Sequence, residues 1–343
     1  RTMSMNIDRP KVWRHSLIRV YLALEKLEEN PTPLFSRLDI TLEDLLAKDY
    51  WLDAEAFERL LVETSTLVKR KDFGLYVGEC VAPLGGSPLS WAMALSETPI
   101  KAIKRYADFA TLINPAWRAQ VKVHGNEHVL TTWASADQTL LKIKPFQEDM
   151  LMSSLLTMSQ HLLPSNAGHA GVELTQKQPD DPTAWYERFG EKIIWAAPAP
   201  KMRWKSSDLQ GFRLNSNEDL AQAHEVLLRQ QLVQDGSMSV KLRVESELTA
   251  MLLGGSITQQ CIAENLGIEV RTLQRNLKAE GTSFRELQAE ARKDQAVNQL
   301  RRNTPIGRIS HELGYTDQSA FSKAFKKWFG VSPANYFKAA KPY

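Results

Sequence analysis

The sequence predicts an α+β N-terminal region followed by an all-α C-terminal region, in which two helix-turn-helix units are joined by a long helix. Three observations predict it. The first is an internal repeat. Ile262-Ala-Glu-Asn-Leu266-Gly267-Ile268 precedes Arg271-Thr-Leu273-Gln-Arg275-Asn-Leu277-Lys278, and Ile309-Ser-His-Glu-Leu313-Gly314-Tyr315 precedes Ser319-Ala-Phe321-Ser-Lys323-Ala-Phe325-Lys326. The turn glycines lie about 47 residues apart, within the range of repeated supersecondary units. The second is periodicity, with helical and alternating stretches mixed up to about residue 235. The third is charge. From Ser239 onward there are 16 Lys/Arg and 10 Asp/Glu, against 27 and 30 in the remainder, so a basic end follows a mildly acidic body.

A chain of 343 residues can bury a sizeable core in two or three domains. At 43% hydrophobic and 24% charged it is a globular rather than a disordered composition. No apolar run approaches the ~18 residues of a membrane span. The densest stretch, Met150 to Leu163, is broken by Ser153, Ser154, Thr157, Ser159, Gln160 and His161. The first residues lack the apolar core of a signal peptide. Two cysteines, Cys80 and Cys261, argue against a disulfide framework or structural zinc, and a reducing cytoplasm is the expected compartment.

The N-terminal elements follow in order. Val12 to Glu29 reads as an amphipathic helix, with Leu17, Val20, Leu24 and Leu27 on one side. Thr41 opens a short helix. Asp53 to Val68 is a helix carrying Phe57, Leu60, Leu61, Thr64 and Val68 in register. Phe73-Gly-Leu-Tyr-Val-Gly-Glu79 follows Asp72, and Pro83-Leu-Gly-Gly-Ser-Pro88 reads as a turn. Thr98-Pro99 opens a helix toward Ile113. Val121 to His124 and Val129 to Ser135, joined at Gly125-Asn126, predict a β-hairpin. Asp149 to Leu163 is helical. Gly171 to Thr175, Lys192 to Trp195 and Met202 to Lys205 are short strands. Ser216-Asn-Glu-Asp219 opens a helix to about Val233. Its stripe of Leu220, Leu227, Leu228 and Leu232 suits either dimerisation or packing within the subunit. Gln234-Asp-Gly-Ser-Met is the most linker-like stretch, and it separates a domain over 1–235 from one over 236–343.

In the C-terminal domain the first helix-turn-helix falls at about 258–279. Thr258 caps a helix to Leu266, Gly267 turns the chain, and a second helix runs from about Glu269 to Lys278. Leu273 and Leu277 point inward. Arg271, Gln274, Arg275 and Lys278 form one exposed stripe, and Arg and Gln are the side chains that grip guanine and adenine edges bidentately. Ser283-Phe-Arg-Glu286 starts the linking helix, about 283–302, with a capping-box pattern. About 19 helical residues span roughly 28 Å, close to the roughly 34 Å between successive turns of B-DNA. In the second unit, about 305–329, Thr304-Pro305 reads as an N-cap followed by proline at the first helical position. Phe321 and Phe325 point inward, while Ser319, Ser322, Lys323 and Lys326 share a face with Gln318 near its start. Ala263 and Ser310 are small where the helices of each unit cross. Ordinary core helices with solvated faces are the alternative; the duplication, both turn glycines and both polar stripes together argue against it.

Gly314-Tyr-Thr-Asp-Gln-Ser-Ala-Phe-Ser-Lys-Ala-Phe-Lys-Lys-Trp-Phe-Gly-Val-Ser-Pro333, with Tyr336, resembles the signature of the AraC/XylS family of bacterial transcription regulators. Arg271-Thr-Leu-Gln-Arg275 resembles that family's first recognition helix, and the likeness covers about the last 100 residues. It implies binding to double-stranded promoter DNA, most often for activation and in company with RNA polymerase. Base contacts carry over to Arg271, Gln274 and Arg275, then to Gln318, Ser319, Ser322 and Lys323. Lys278, Lys326 and Lys327 suit phosphates, which position the protein without reading sequence. The first unit, with two arginines, is expected to supply more base specificity.

Asp72-Phe-Gly-Leu-Tyr-Val-Gly-Glu79, Pro83-Leu-Gly and Ser96-Glu-Thr-Pro99 resemble the N-terminal effector domain of one branch of that family, which includes regulators of ornithine and amino-acid use. The resemblance implies an α+β sensor that binds a small molecule and helps form a homodimer. Trp91, Met93, Tyr106, Trp117, Trp133 and the methionines Met150, Met152 and Met158 are candidates to line an apolar pocket, with Trp91, Trp117 and Trp133 as the effector-binding residues. Plain core is the simpler reading of the same side chains.

Enzyme readings fare worse. His124 and His128 stand across the predicted hairpin with no third metal ligand. Gly85-Gly86-Ser87 lacks the Lys-Ser/Thr of a phosphate loop. Two distant cysteines cannot form a methyl-accepting zinc cluster, and Cys261 is most simply a small buried residue. No cofactor is expected. Two regulator classes stay open: one answering to a small effector, and one whose N-terminal domain is controlled by a protein partner.

Overall fold

The computed structural model describes residues 11–47, 51–81, 87–114, 117–134, 144–164, 167–234, 236–251 and 257–339. Pro83 to Gly86 of the expected turn, Ser135 and Asp235 lie outside them. Two compact units divide between Leu228 and Arg229. Composition places the boundary at 235, whereas the packing places it inside a helix.

The N-terminal unit opens with β1 (Lys11–Trp13) and α1 (Arg14–Lys26). The helix starts later than its apolar periodicity predicts, because residues 11–13 pair antiparallel with β2 (Trp51–Asp53). Leu17, Val20 and Leu24 are fully buried, as the stripe requires. Next come α2 (Thr32–Arg37), α3 (Leu42–Leu46) and α4 (Ala54–Val68). Thr41 and Asp44 form a reciprocal capping box at α3, and Asp53 accepts the Glu55 N–H at α4. Phe57, Leu60 and Phe73 join Leu17 and Leu24 in one core.

Phe73–Glu79 forms a helix, α5. α6 (Pro88–Ala94) and α7 (Pro99–Ile113) start at prolines capped by Ser87 and Thr98. β3 (Trp117–His124) and β4 (Glu127–Ala134) make the expected hairpin, with Gly125 at φ +61°. α8 (Pro145–Leu162) begins a turn earlier than the sequence suggests. β5 (His169–Glu173), α9 (Thr183–Phe189), β6 (Ile193–Ile194), β7 (Lys201–Lys205), α10 (Ser206–Leu209) and α11 (Glu218–Gln234) follow. The sheet order is β3-β4-β7-β5-β6, antiparallel except for β5 with β6.

Two glycines set the distance between α5 and α8. A Cβ on Gly78 falls 2.4 Å from Ser153 Cβ, and one on Gly74 falls 2.6 Å from the Phe146 carbonyl oxygen. The backbones meet at a separation that only glycine allows. α8 is buried along its length, including Glu148 and Asp149. Their carboxylates accept from Thr175 and Gln176 backbone N–H groups, from the Gln176 amide and from the Trp185 indole.

The C-terminal unit is helical: α12 (Val240–Met251), α13 (Gln259–Asn265), α14 (Val270–Ala279), α15 (Phe284–Arg301), α16 (Ile306–Glu312), α17 (Gln318–Phe329), a 3₁₀ turn (Pro333–Asn335) and α18 (Tyr336–Ala339). It has two cores. Val244, Leu248, Ile262, Leu273, Leu277 and Leu287 form one; Ala296, Val297, Ile309, Phe321 and Phe325 form the other. α15 supplies side chains to both.

Candidate functional site

The repeat becomes two turns with the same hydrogen-bond pattern. After α13, the Gly267 N–H reaches the Glu264 carbonyl at 3.0 Å, and the Ile268 N–H reaches Ala263 at 3.0 Å. After α16, Gly314 reaches His311 at 3.0 Å and Tyr315 reaches Ser310 at 2.9 Å. Both glycines adopt positive φ, +67° and +76°, a conformation open to glycine at no steric cost. Ala263 and Ser310, the small residues expected at the helix crossings, are buried at 1% and 3% exposure.

Each turn delivers a helix with one face buried and the other in solvent. On α14, Leu273 and Leu277 are wholly buried, while Arg271, Gln274, Arg275 and Lys278 are exposed. The Gln274 amide donates to Gln259 Oε1 at 3.2 Å, so Gln259 at the start of α13 orients a candidate base reader. On α17, Phe321 and Phe325 are wholly buried, each gaining on the order of 2–3 kcal/mol from burial. Gln318, Ser319, Lys323, Lys326 and Lys327 are exposed and Ser322 is half-buried. Asp317 caps this helix, accepting the Ala320 N–H at 2.8 Å. That bond holds the Asp317 carboxyl below its usual range.

α15 begins at Ser283, whose Oγ accepts the Glu286 N–H at 3.3 Å. Its 18 residues correspond to roughly 27 Å. Leu287 anchors it in the first core, and Ala296 and Val297 in the second. One continuous helix therefore packs into the cores beneath both α14 and α17.

Three expectations need correction. Thr304 does not cap α16: its N–H bonds the Gln299 carbonyl and closes α15, with Asn303 at φ +55°. Pro305 instead takes the cap position, with extended ψ, and the helix starts at Ile306. Cys261 is half-buried rather than buried. The proposed Leu stripe of α11 splits: Leu228 and Leu232 are buried, but Leu220 and Leu227 are 50% and 51% exposed.

α12 was missed, although Val240, Val244, Leu248 and Met251 recur at helical spacing. It braces the first unit from both ends. Arg243 donates to the Leu266 carbonyl at the end of α13, and Glu280 accepts the Val240 and Lys241 N–H groups at the start of α12.

In the N-terminal domain, Met93, Tyr106 and Met158 line a small apolar cavity together with Leu130 and Trp204. Trp91, Trp117 and Trp133 are not in its lining. Trp91 is 38% exposed and stacks on His224, Trp117 is buried at the start of β3, and Trp133 is half-buried. Met150 packs in the α1–α5 core and Met152 is buried in α8. His128 is buried against Ser206, while His124 is exposed. No helix of the described residues is long and apolar enough to cross a membrane.

Comparison with known proteins agrees with this architecture. Residues 30–212 match the arabinose-binding domain of AraC transcription regulators, N-terminal, and residues 262–339 match a helix-turn-helix domain. An uncharacterized HTH-type transcriptional regulator of Mycobacterium tuberculosis is 49% identical over 76 residues, which is 22% of this chain and 22% of that protein. The ornithine utilization regulator of Pseudomonas aeruginosa is 24% identical over 288 residues, covering 82% of this chain and 83% of that one. The crystal structure of the transcriptional regulator CdpR from Pseudomonas aeruginosa aligns over 95% of this chain and 99% of its own, with a TM-score of 0.47 and 20% identity. The family and these relatives are regulators of transcription, not enzymes. The chain belongs to the AraC family of transcription regulators, with an arabinose-binding-type domain at its N-terminal end and a helix-turn-helix domain at its C-terminal end.

Proposed function

We propose that this regulator reads a specific promoter with both helix-turn-helix units and activates transcription in response to a small effector held by its N-terminal domain. The observation that carries the DNA reading is the matched pair of turns, each presenting a helix with a buried apolar side and an exposed polar side. In this reading Arg271, Gln274 and Arg275 contact bases from α14, and Gln318, Ser319, Ser322 and Lys323 contact them from α17. Lys278, Lys326 and Lys327 hold phosphates. α14 carries two arginines able to fork onto guanine, so the first half-site is the more stringent one. α15 sets the spacing of the two half-sites, RNA polymerase is the downstream partner, and the protein works as a cytoplasmic homodimer.

Selection of bound duplexes from a random pool tests this. Two conserved half-sites about one helical turn apart are expected. A single half-site, or none, overturns the two-unit reading. The sensor reading is supported by the match to an arabinose-binding-type domain and by the apolar cavity. A thermal-shift screen of small molecules tests it, because a ligand that binds only the folded state raises the midpoint.

A further inference from the structure

Arg19 differs from two other arginines of the N-terminal unit, Arg105 and Arg70, in what it holds. Arg105 holds Glu218 and Glu225, and Arg70 holds Asp72. Arg19 has only neutral partners among the described residues: the His15 carbonyl at 3.3 Å, Ser154 Oγ at 2.9 Å and Ser16 Oγ at 3.4 Å. Its guanidinium is deep enough that desolvation lowers its pKa. A desolvated cation with no counter-charge is costly, and such groups concentrate where a ligand completes them.

What lies beside it is the apolar cavity. Ser154 stands one turn before Met158 on the same face of α8, and Met158 lines the cavity. Tyr106, also in the lining, has its phenol pushed up by burial, which the charge of Arg19 opposes. The polar groups of the lining are the Trp204 indole N–H and the hydroxyls of Tyr106 and Ser159, the last donating to the Leu156 carbonyl. Trp204, 1% exposed, carries an indole N–H with no acceptor among the described residues. The lining contains no carboxylate. The buried acids of α8, Glu148 and Asp149, are engaged by Thr175, Gln176 and Trp185. A ligand that brings acceptors and a negative charge therefore matches the Trp204 N–H in the lining and Arg19 beside it. The cavity, about 10 Å³, is the size of about one water, so an occupant enters as Met93 and Met158 turn aside, a rearrangement that unbranched thioether chains permit.

Resting on the sensor reading above, we propose that this cavity is the effector site and takes a small aliphatic carboxylic acid. Its carboxylate is held by Arg19, and its apolar body lies against Met93, Ile103, Met158 and Trp204.

The test is a thermal-shift and calorimetric titration of the full chain at neutral pH with hexanoate, hexanamide and hexylamine, repeated with chains of four and eight carbons. Hexanoate is expected to raise the midpoint saturably, and the amide and amine are not. Arg19→Met should weaken hexanoate about ten-fold or more while leaving the ligand-free midpoint equal or higher, and Arg19→Lys should retain most of the affinity. Should Arg19→Met fail to fold, Met158→Trp, which fills the cavity, must abolish hexanoate binding. Binding of the amine alone overturns the carboxylate assignment and leaves the sensor reading standing. Unchanged hexanoate affinity in Arg19→Met or Met158→Trp overturns the site. Silence from all three chemistries overturns both.

Discussion

Gly78→Ala is the sharpest test of how the N-terminal domain is built. The added Cβ would lie 2.4 Å from Ser153 Cβ and 2.8 Å from the Met150 carbonyl oxygen. Carbon atoms pack at about 3.5–4.0 Å, so α5 and α8 must part by more than about 1 Å. A gap of about 0.5–1 Å already forfeits a quarter to a half of each dispersion contact. Phe73, Val77 and Met150, all buried, lose neighbours. Overpacking of this kind costs about 1–3 kcal/mol, and the better helix propensity of alanine returns up to about 1 kcal/mol. A net loss of about 1–2 kcal/mol follows, which lowers the midpoint of a unit of this size by about 2–8 °C. Calorimetry of the full chain should be paired with hydrogen exchange over residues 73–79 and 145–162, since two units need not melt together. Gly307→Ala is the contrast: its Cβ meets only Gln318 Oε1, at 3.5 Å, and it should be neutral or slightly stabilising. If Gly78→Ala leaves both the midpoint and the exchange unchanged, the close approach of α5 and α8 is wrong.

Four further outcomes are expected. Arg275→Ala should weaken binding to the selected site by about 1–3 kcal/mol and relax one base position, whereas Lys326→Ala should weaken all sequences alike and reduce the salt slope by about one; gel shifts at several salt concentrations separate the two. Arg105→Met removes the 2.6 Å partner of the buried Glu218 and leaves it to Lys101 at 3.5 Å and the Glu97 N–H, and should destabilise the N-terminal unit by about 1–3 kcal/mol, seen as faster exchange at the start of α11. Burial pushes the Asp149 carboxyl up to about 8 from 3.8. The unfolded chain therefore releases that proton first. The stability this group contributes is full below about pH 4 and lost as pH rises toward about 8. Asp149→Asn, which keeps an acceptor for Trp185 and Gln176, should flatten a melting profile across that window, and an unchanged slope refutes the assignment. Leu220→Glu with Leu227→Glu, both half exposed, should leave the fold intact and convert a dimer to a monomer by light scattering; an unaltered mass removes that face from the interface.

Much of the C-terminal domain was legible because its signals are local. A glycine with positive φ, an N-cap at Thr258 or Ser283 and a 3.6-residue apolar stripe each depend on a few neighbouring residues, and each occurs where the sequence places it. Thr304 misled because its N–H is claimed by the end of α15. α12 carries a local apolar stripe as well, but its bracing role rests on distant partners, Leu266 and Glu280.

By itself, then, the sequence determined α1, α4, α7, α8, α11 and the helices of the two helix-turn-helix units, together with the hairpin, the paired turns and the polar faces of α14 and α17. These follow from backbone propensity and periodicity, which act over a few residues. Tertiary structure alone decided why Gly74 and Gly78 stand in α5, since their reason is the backbone of α8. It also decided which aromatic and sulfur side chains surround a cavity: Met93, Tyr106, Met158 and Trp204, rather than Trp91, Trp117 and Trp133. Only packing shows that Arg19 is charged, desolvated and without a carboxylate among the described residues, because burial and the absence of a counter-charge depend on chain segments more than a hundred residues apart.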